Sequence, residues 1–130
     1  MMVQKALLFG DEEAAEAILL APQPGDAKDL GRNVRRFCQD TWDAKSFEIV
    51  VQGNLEKFIQ NNALGQYLLS TKNRVLVEAS PKDRIWGIGM SKEAEGIEQP
   101  VRWRGRNLLG FALMEARARM SQKFDSVTIL

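Results

Sequence analysis

Histidine does not occur in this 130-residue sequence, and cysteine occurs once, as Cys38. The lack of histidine excludes most zinc and other transition-metal sites, and it excludes serine–histidine and cysteine–histidine nucleophile systems. A single cysteine cannot form a disulfide bond within the chain. Acid–base chemistry therefore falls to Asp, Glu, Lys or Tyr side chains, and we predict neither a metal site nor a cofactor.

Excess charge and long apolar runs are also missing. The formal net charge at pH 7 is +1, so no basic field points to bulk nucleic-acid binding or to a membrane surface. No apolar run is long enough to cross a bilayer, and residues 1–13 do not have the pattern of a secretory signal. We therefore predict a cytoplasmic protein without membrane or bulk nucleic-acid partners.

Apolar residues recur at helical spacing along most of the chain. A break at "APQPG" (21–25) separates the first helices from the rest, and a short charged helical segment is expected after it. The patterns predict five further helices: 1–9 ending at Gly10, one capped by Asp11, 42–60 capped by Thr41, 61–71, and one capped by Asn107.

The run "RVLVEA" (74–79) predicts a strand because it is rich in Val and Leu. The predicted fold class is therefore α+β, mainly helical, in one domain over 1–130 with 122–130 as a tail. A lone strand cannot satisfy its own backbone hydrogen bonds. A partner strand is therefore expected in one of three places: in a segment that the patterns above do not identify as a strand, in the tail, or in sequence outside this chain. An open sheet edge and exposed apolar surface predict self-association, as a homodimer.

The stretch "ASPKDRIWGIGM" (79–90) brings together a carboxylate, an indole and two glycines. In a pocket, Trp86 would stack on a heteroaromatic base. Asp83 would activate water or stabilise an oxocarbenium ion, and Gly87 would let the backbone approach a ligand. The alternative is a turn shaped by Asp83, with Trp86 filling the core.

Arginines are concentrated at "GRNVRR" and "VRWRGR". Arg32 and Arg36 are the first candidates for binding phosphate oxygens, and the alternative is a solvated basic face. Trp42 is either a second stacking wall or a staple over a helix end. Lys5 is a solvated lysine unless it is buried near an acid, where it would bind phosphate or act as an amine nucleophile.

These residues occur in an order that resembles the NADAR family of YbiA-like proteins. The resemblance covers about residues 1–120 and rests on "MMVQKALLFGD", "TWD", "LVEASPKDRIWGIGM" and "WRGRNLLGFALMEARARM". It implies a YbiA-like single domain with a small β element, here lacking its N-terminal strand. It also implies an N-glycosidase that cleaves a ribose–nitrogen bond and uses no metal.

The resemblance implies a small ribosyl or nucleotide substrate. The two classes are a phosphorylated ribosylaminopyrimidine intermediate of riboflavin synthesis and ADP-ribosylated guanine. Asp83 and Lys5 match catalytic positions, with Lys5 a candidate for attack on the anomeric carbon. Trp86 matches an active-site position, and Trp42 matches a ring-contacting position. Asn107 is included with the substrate-binding residues, although its motif is interpreted as mainly structural.

The start of the chain departs from the family pattern. Family members usually begin with an "LSNF"-like stretch and a sequence close to "EQYMMVQKA", whereas this sequence starts at the two methionines. The acid expected just upstream is therefore not in the sequence. Two expectations follow: the domain is truncated at its N-terminus, or this member has lost catalytic capacity. The alternative function is a catalytically weak or inactive module that binds ADP-ribose or a nucleotide.

Overall fold

The computed structural model describes the backbone of residues 1–125 and the side chains of residues 1–122. The chain divides into two compact units, one formed by Met1–Ile49 and one that begins at Val50. None of the described helices is both long enough and apolar enough to span a membrane.

Three short helices form the first unit: α1 (Met2–Leu8), α2 (Glu12–Leu19) and α3 (Pro24–Arg32). All three pack on one another. The predicted boundary between α1 and α2 is confirmed, since Gly10 has a φ of 69° and Asp11 accepts a hydrogen bond from the Ala14 N–H. The core of this unit contains the following residues: Ala6, Ala15, Ile18 and Val34.

A long helix, α4 (Gln39–Gln60), begins in the first unit and ends in the second. The prediction that Thr41 caps this helix is wrong, because the helix begins two residues before Thr41. The carbonyl of Cys38 accepts a hydrogen bond from the Trp42 N–H at 3.0 Å. Trp42 therefore lies in the first turn of α4.

The second unit continues with α5 (Asn62–Ser70) and α6 (Leu108–Asp125), which contact each other. Gly65 of α5 lies against α4 and α6, since a Cβ atom there would lie 2.5 Å from the Phe58 carbonyl oxygen and 3.2 Å from the Met120 Cε. A single 3₁₀ turn, Pro100–Arg102, interrupts the long connection between them. The predicted tail, 122–130, overlaps the end of α6, and its last residues, 126–130, lie outside the described part.

The predicted β element is wrong: within residues 1–125 the structure contains no strand, although a mainly helical fold is consistent with the prediction. Residues 74–80 have no regular secondary structure. The Asn107 side chain holds the middle of this segment, because its amide accepts from the Glu78 N–H and donates to the Leu76 carbonyl, both at 2.9 Å. The backbone contributes as well, since the Glu78 carbonyl accepts from the Ile88 N–H at 3.0 Å.

Candidate functional site

Lys5 lies in the last turn of α1, against two aromatic rings. Its Nζ is 4.6 Å from the centroid of the Phe37 ring and 5.5 Å from the centroid of the Trp42 ring. The Phe37 ring in turn meets Phe9 edge-on, with centroids 5.2 Å apart. We call Lys5, Phe37 and Trp42 the amine cluster. Phe37 is 40% exposed, so a ligand can reach this cluster from solvent.

Partial burial changes the acid–base behaviour of the amine. It lowers the pKa of Lys5 below the ordinary 10.5, because the ammonium form is desolvated. The aromatic faces act in the opposite direction, since they attract the cation. Burial thus makes the neutral amine, the form that a nucleophile requires, easier to reach than in a solvated lysine.

The arginines of the first unit have different partners. The Arg36 guanidinium donates to the Gly10 carbonyl at 2.6 Å and to the Phe9 carbonyl at 3.2 Å, so it covers the end of α1. Arg32 pairs with Asp29 on the surface at 2.9 Å, with both side chains more than half exposed. An exposed pair of this kind contributes little stability, and Arg32 can exchange it for a phosphate.

Asp83 closes a tight turn in the second unit. Its Oδ1 accepts hydrogen bonds from the Trp86 N–H at 2.8 Å and from the Ile85 N–H at 3.0 Å. Within the described residues, its Oδ2 has no hydrogen-bond partner. The carboxylate is therefore fixed in position by the backbone through one oxygen, while the other oxygen remains available to a ligand.

Backbone hydrogen bonds connect this turn to the start of α6. The Leu109 N–H donates to the Trp86 carbonyl at 3.0 Å, and the Arg106 N–H donates to the Arg84 carbonyl at 2.9 Å. Trp86 is half-buried, and Ile88 immediately after it is completely buried. Ile88 is therefore the main apolar anchor of the turn, and Trp86, which is only half-buried, keeps some surface that a ligand can contact.

Gly87 and Asn107 contact the protein's own backbone. A Cβ atom at Gly87 would lie 2.9 Å from the Asp83 carbonyl oxygen and 3.0 Å from that of Glu78. Gly87 is thus required for close packing within the turn. Asn107 is completely buried, and its φ of 55° is a left-handed conformation that asparagine tolerates. Both side-chain polar atoms of Asn107 are bonded to the segment 74–80, which gives it a structural role.

The structure places the predicted residues in two sets. The first unit holds Lys5, Trp42, Arg32 and Arg36, and the second unit holds Asp83, Trp86, Gly87 and Asn107. Phe37 belongs to the amine cluster but was not predicted. The only signal for it is its place in "RRFCQDTW", next to the arginines and five residues before Trp42.

Comparison with known proteins assigns the chain to a family, because the NADAR domain matches residues 1–121. The chain belongs to the NADAR domain family. An N-glycosidase of Acanthamoeba polyphaga mimivirus is 44% identical over 94% of this chain and 72% of its own length. An N-glycosidase of Nostoc punctiforme is 34% identical over 88% of this chain and 67% of its own length. A chloroplastic riboflavin biosynthesis protein of Zea mays is 31% identical over 83% of this chain but only 16% of its own length.

Proposed function

We propose that this NADAR domain is an N-glycosidase that hydrolyses the bond between a ribose carbon and a nitrogen. The two relatives named N-glycosidase support this activity, since each covers most of the chain. The turn at Asp83 carries the proposal, because a backbone-held carboxylate and a half-buried indole occur three residues apart.

Asp83 acts on the charge that develops during cleavage. Loss of the nitrogen base leaves positive charge on the anomeric carbon and its ring oxygen. A carboxylate whose position is already fixed stabilises that charge without reorganising during the reaction. The Asp83 Oδ2 is the oxygen for this role, or for orienting the attacking water, since Oδ1 already accepts two hydrogen bonds.

Ring stacking is assigned to Trp86 in the turn at Asp83 and, separately, to Trp42 in the amine cluster. Stacking of a base on an aromatic side chain contributes about 1–3 kcal/mol. Trp86 is half-buried in the turn that holds Asp83, and Trp42 is half-buried in the amine cluster. Each indole therefore offers a partly exposed surface to a ligand.

Lys5 has two possible roles that depend on its protonation state. A neutral amine attacks the anomeric carbon and displaces the base, and water then hydrolyses the adduct. A protonated amine binds a substrate phosphate. Burial lowers the pKa of Lys5, which lowers the cost of forming the neutral amine that the first role needs. Arg32, whose surface pair with Asp29 is weak, is the better of the two predicted arginines for the phosphate.

The substrate class is a phosphorylated ribosylaminopyrimidine or ADP-ribosylated guanine. The first class agrees with the relative named as a riboflavin biosynthesis protein. Both substrates contain a heteroaromatic ring on a ribose and at least one phosphate. An indole is suited to stack on the heteroaromatic ring, and Arg32 is suited to bind the phosphate.

Turnover of both substrate classes by the purified chain tests the proposal. The expected result is release of free base from at least one substrate, at a rate proportional to protein concentration. Chromatography measures the released base. A chain that is folded by circular dichroism but releases no base from either substrate contradicts the proposal. Calorimetric binding of ADP-ribose in that case supports the inactive binding module instead.

A further inference from the structure

Two short segments of the first unit contact each other residue by residue. They are 9–11, which directly follows α1, and 35–37, which lies shortly before α4. The contacts join three pairs: Phe9 with Phe37, Gly10 with Arg36, and Asp11 with Arg35. The order is antiparallel, because each step forward along the first segment corresponds to one step backward along the second. The segment that carries Phe37 is therefore in a fixed register with the end of the helix that carries Lys5.

Asp11 is the buried member of these contacts, with 2% of its surface exposed. Its Oδ2 accepts a hydrogen bond from the Arg35 N–H at 2.9 Å. Its Oδ1 accepts from the Arg35 guanidinium and from the Ala14 N–H, both at 3.1 Å. Hydrogen bonds to an ionised acceptor are stronger than those between neutral groups. One carboxylate thus caps α2 and holds the backbone of residue 35 at the same time.

The backbone between Arg35 and Phe37 adopts an unfavourable conformation. Arg36 has a φ of 59°, in the left-handed region that residues with a side chain rarely adopt. Such a conformation persists where the surrounding contacts determine it. Here the Arg36 guanidinium donates to the Gly10 carbonyl at 2.6 Å, and Asp11 holds the residue before it. Since Phe37 follows directly, these contacts determine where its ring lies.

Phe37 brings an apolar ring to the reactive end of Lys5. The Lys5 Nζ lies 4.6 Å from the centroid of this ring, and the Phe9 ring supports Phe37 edge-on. A ring in this position keeps water away from one side of the amine. Displacement of Phe37 would therefore change the surroundings of the amine without altering Lys5 itself.

We propose that Asp11 is a positioning residue for the amine cluster, because it holds Arg35 and so fixes Phe37 beside the Lys5 amine. Asp11 acts through these two residues rather than on the substrate. The effect on turnover rests on the proposed N-glycosidase function, in which Lys5 attacks the anomeric carbon. The effect on the position of Phe37 does not depend on that function.

A serine at position 11 separates the two tasks of Asp11. Serine is favoured as a helix cap, so Asp11→Ser keeps an oxygen that can accept from the Ala14 N–H. It has no second oxygen for the Arg35 N–H. The helix α2 should therefore remain, with an unchanged circular dichroism spectrum, while the segment 35–37 is no longer held by residue 11.

The resonance of the Lys5 ε-methylene group reports the position of Phe37. Protons over the face of an aromatic ring resonate upfield, so this signal should lie upfield of those of solvated lysines in a proton–carbon correlation spectrum. Its disappearance in Lys5→Met assigns it. Asp11→Ser should move the signal towards the position of a solvated lysine. A loss of stability alone would leave the signal of the folded protein in place.

Glu13→Ala is the matched control. Glu13 is the other carboxylate that pairs with the Arg35 guanidinium, at 3.0 Å, and its removal leaves Asp11 intact. The Lys5 signal should stay in place in this variant. A signal that also stays in place in folded Asp11→Ser overturns the proposal, as does an equal movement in Glu13→Ala.

Arg35→Met tests the same connection if Asp11→Ser does not fold. It removes the guanidinium but keeps the N–H that donates to Asp11. The Lys5 signal should move in the same direction as in Asp11→Ser, by a smaller amount. An unmoved signal in Arg35→Met would then overturn the proposal.

Turnover distinguishes this proposal from the proposed function. In a chain that releases base, kcat of Asp11→Ser should fall about 10–10²-fold, since a small misplacement of a reacting group has an effect of this size. Glu13→Ala should keep the kcat of the unaltered chain. Full turnover by Asp11→Ser overturns the positioning role. An unaltered chain that releases no base contradicts the proposed function instead, and the Lys5 signal still decides whether Asp11 positions Phe37.

Discussion

Lys5 in the first unit and Asp83 in the second are the two predicted catalytic residues, and different parts of the chain hold them. The amine of Lys5 is surrounded by the rings of Phe37 and Trp42, which are distant in sequence. The carboxylate of Asp83 is held by N–H groups two and three residues further along. The reactivity of Lys5 thus depends on tertiary packing, whereas the position of Asp83 depends on a local turn.

The two units also differ in how one buried polar residue organises each of them. Asp11 in the first unit accepts hydrogen bonds from the Ala14 N–H and from both the backbone and the guanidinium of Arg35. These contacts hold the pKa of Asp11 well below its usual range. Asn107 in the second unit joins α6 to the segment 74–80 without a charge. Only the first of these connections weakens in acid.

Replacement of Lys5 should give the largest effect in the first unit. Lys5→Met removes the amine but keeps an unbranched apolar stem against the rings, so turnover should fall about 10²–10⁴-fold. Lys5→Arg keeps the charge but not a neutral amine, so it should not restore turnover. Steady-state assays measure both variants. Full activity of Lys5→Arg would show that charge, not nucleophilic attack, is what Lys5 supplies.

The pH dependence of turnover sharpens the same comparison. The neutral amine is the reactive form, so the rate should rise with pH as Lys5 loses its proton. The lowered pKa places this rise below pH 10.5. The rise should be missing from the residual activity of Lys5→Met. A rate that falls as pH increases through this range would assign Lys5 to phosphate binding.

Replacement of Asn107 should destabilise the second unit. Asn107→Ala leaves the Glu78 N–H and the Leu76 carbonyl without partners, which should lower the free energy of unfolding by about 2–4 kcal/mol. Asn107→Gly loses the same hydrogen bonds but accepts the positive φ without strain. Urea denaturation should therefore find the glycine variant slightly more stable than the alanine variant. Equal stability of Asn107→Ala and the unaltered chain would contradict the structural role of this side chain.

Loss of the indole at Trp86 should have a smaller effect, confined to substrate binding. Trp86→Leu removes the stacking surface and should weaken binding by about 1–3 kcal/mol. Trp86→Phe keeps an aromatic ring and should retain much of the affinity. Calorimetry with a non-hydrolysable substrate analogue measures both. Unchanged affinity in Trp86→Leu would mean that the ring only fills the core.

Arg32 is expected to show the smallest effect. Its exposed pair with Asp29 contributes no more than about 1 kcal/mol, so Arg32→Ala should hardly change stability. If Arg32 binds the substrate phosphate, KM should rise while kcat stays nearly constant. Asp29→Ala removes the same ion pair without removing the guanidinium, so it should leave KM unaltered. Equal KM values for both variants would exclude Arg32 from the site.

Features with local causes could be predicted from the sequence. The stop at Gly10 and the cap at Asp11 are short-range signals, and both are confirmed. The family assignment is also confirmed, and the predicted N-glycosidase activity agrees with the names of the relatives. The site residues themselves stay predictions.

Features with distant causes could not be predicted. The valines of 74–79 favour an extended backbone, but the partner of this segment is the Asn107 side chain, 29 and 31 residues away from its two contacts. No local pattern distinguishes this arrangement from a strand. Phe37 is separated in the same way from Lys5, and the carbonyl groups that bind Arg36 are 26 and 27 residues from it.

Comparison of Asp83→Asn with the unaltered chain tests most directly whether the carboxylate acts in the reaction or only shapes its turn. Asparagine keeps an oxygen that can accept from the Ile85 and Trp86 N–H groups, so the turn should persist and substrate should still bind. We predict that base release then falls about 10²–10⁴-fold with little change in substrate affinity. An Asp83→Asn variant that releases base at the unaltered rate would contradict this account.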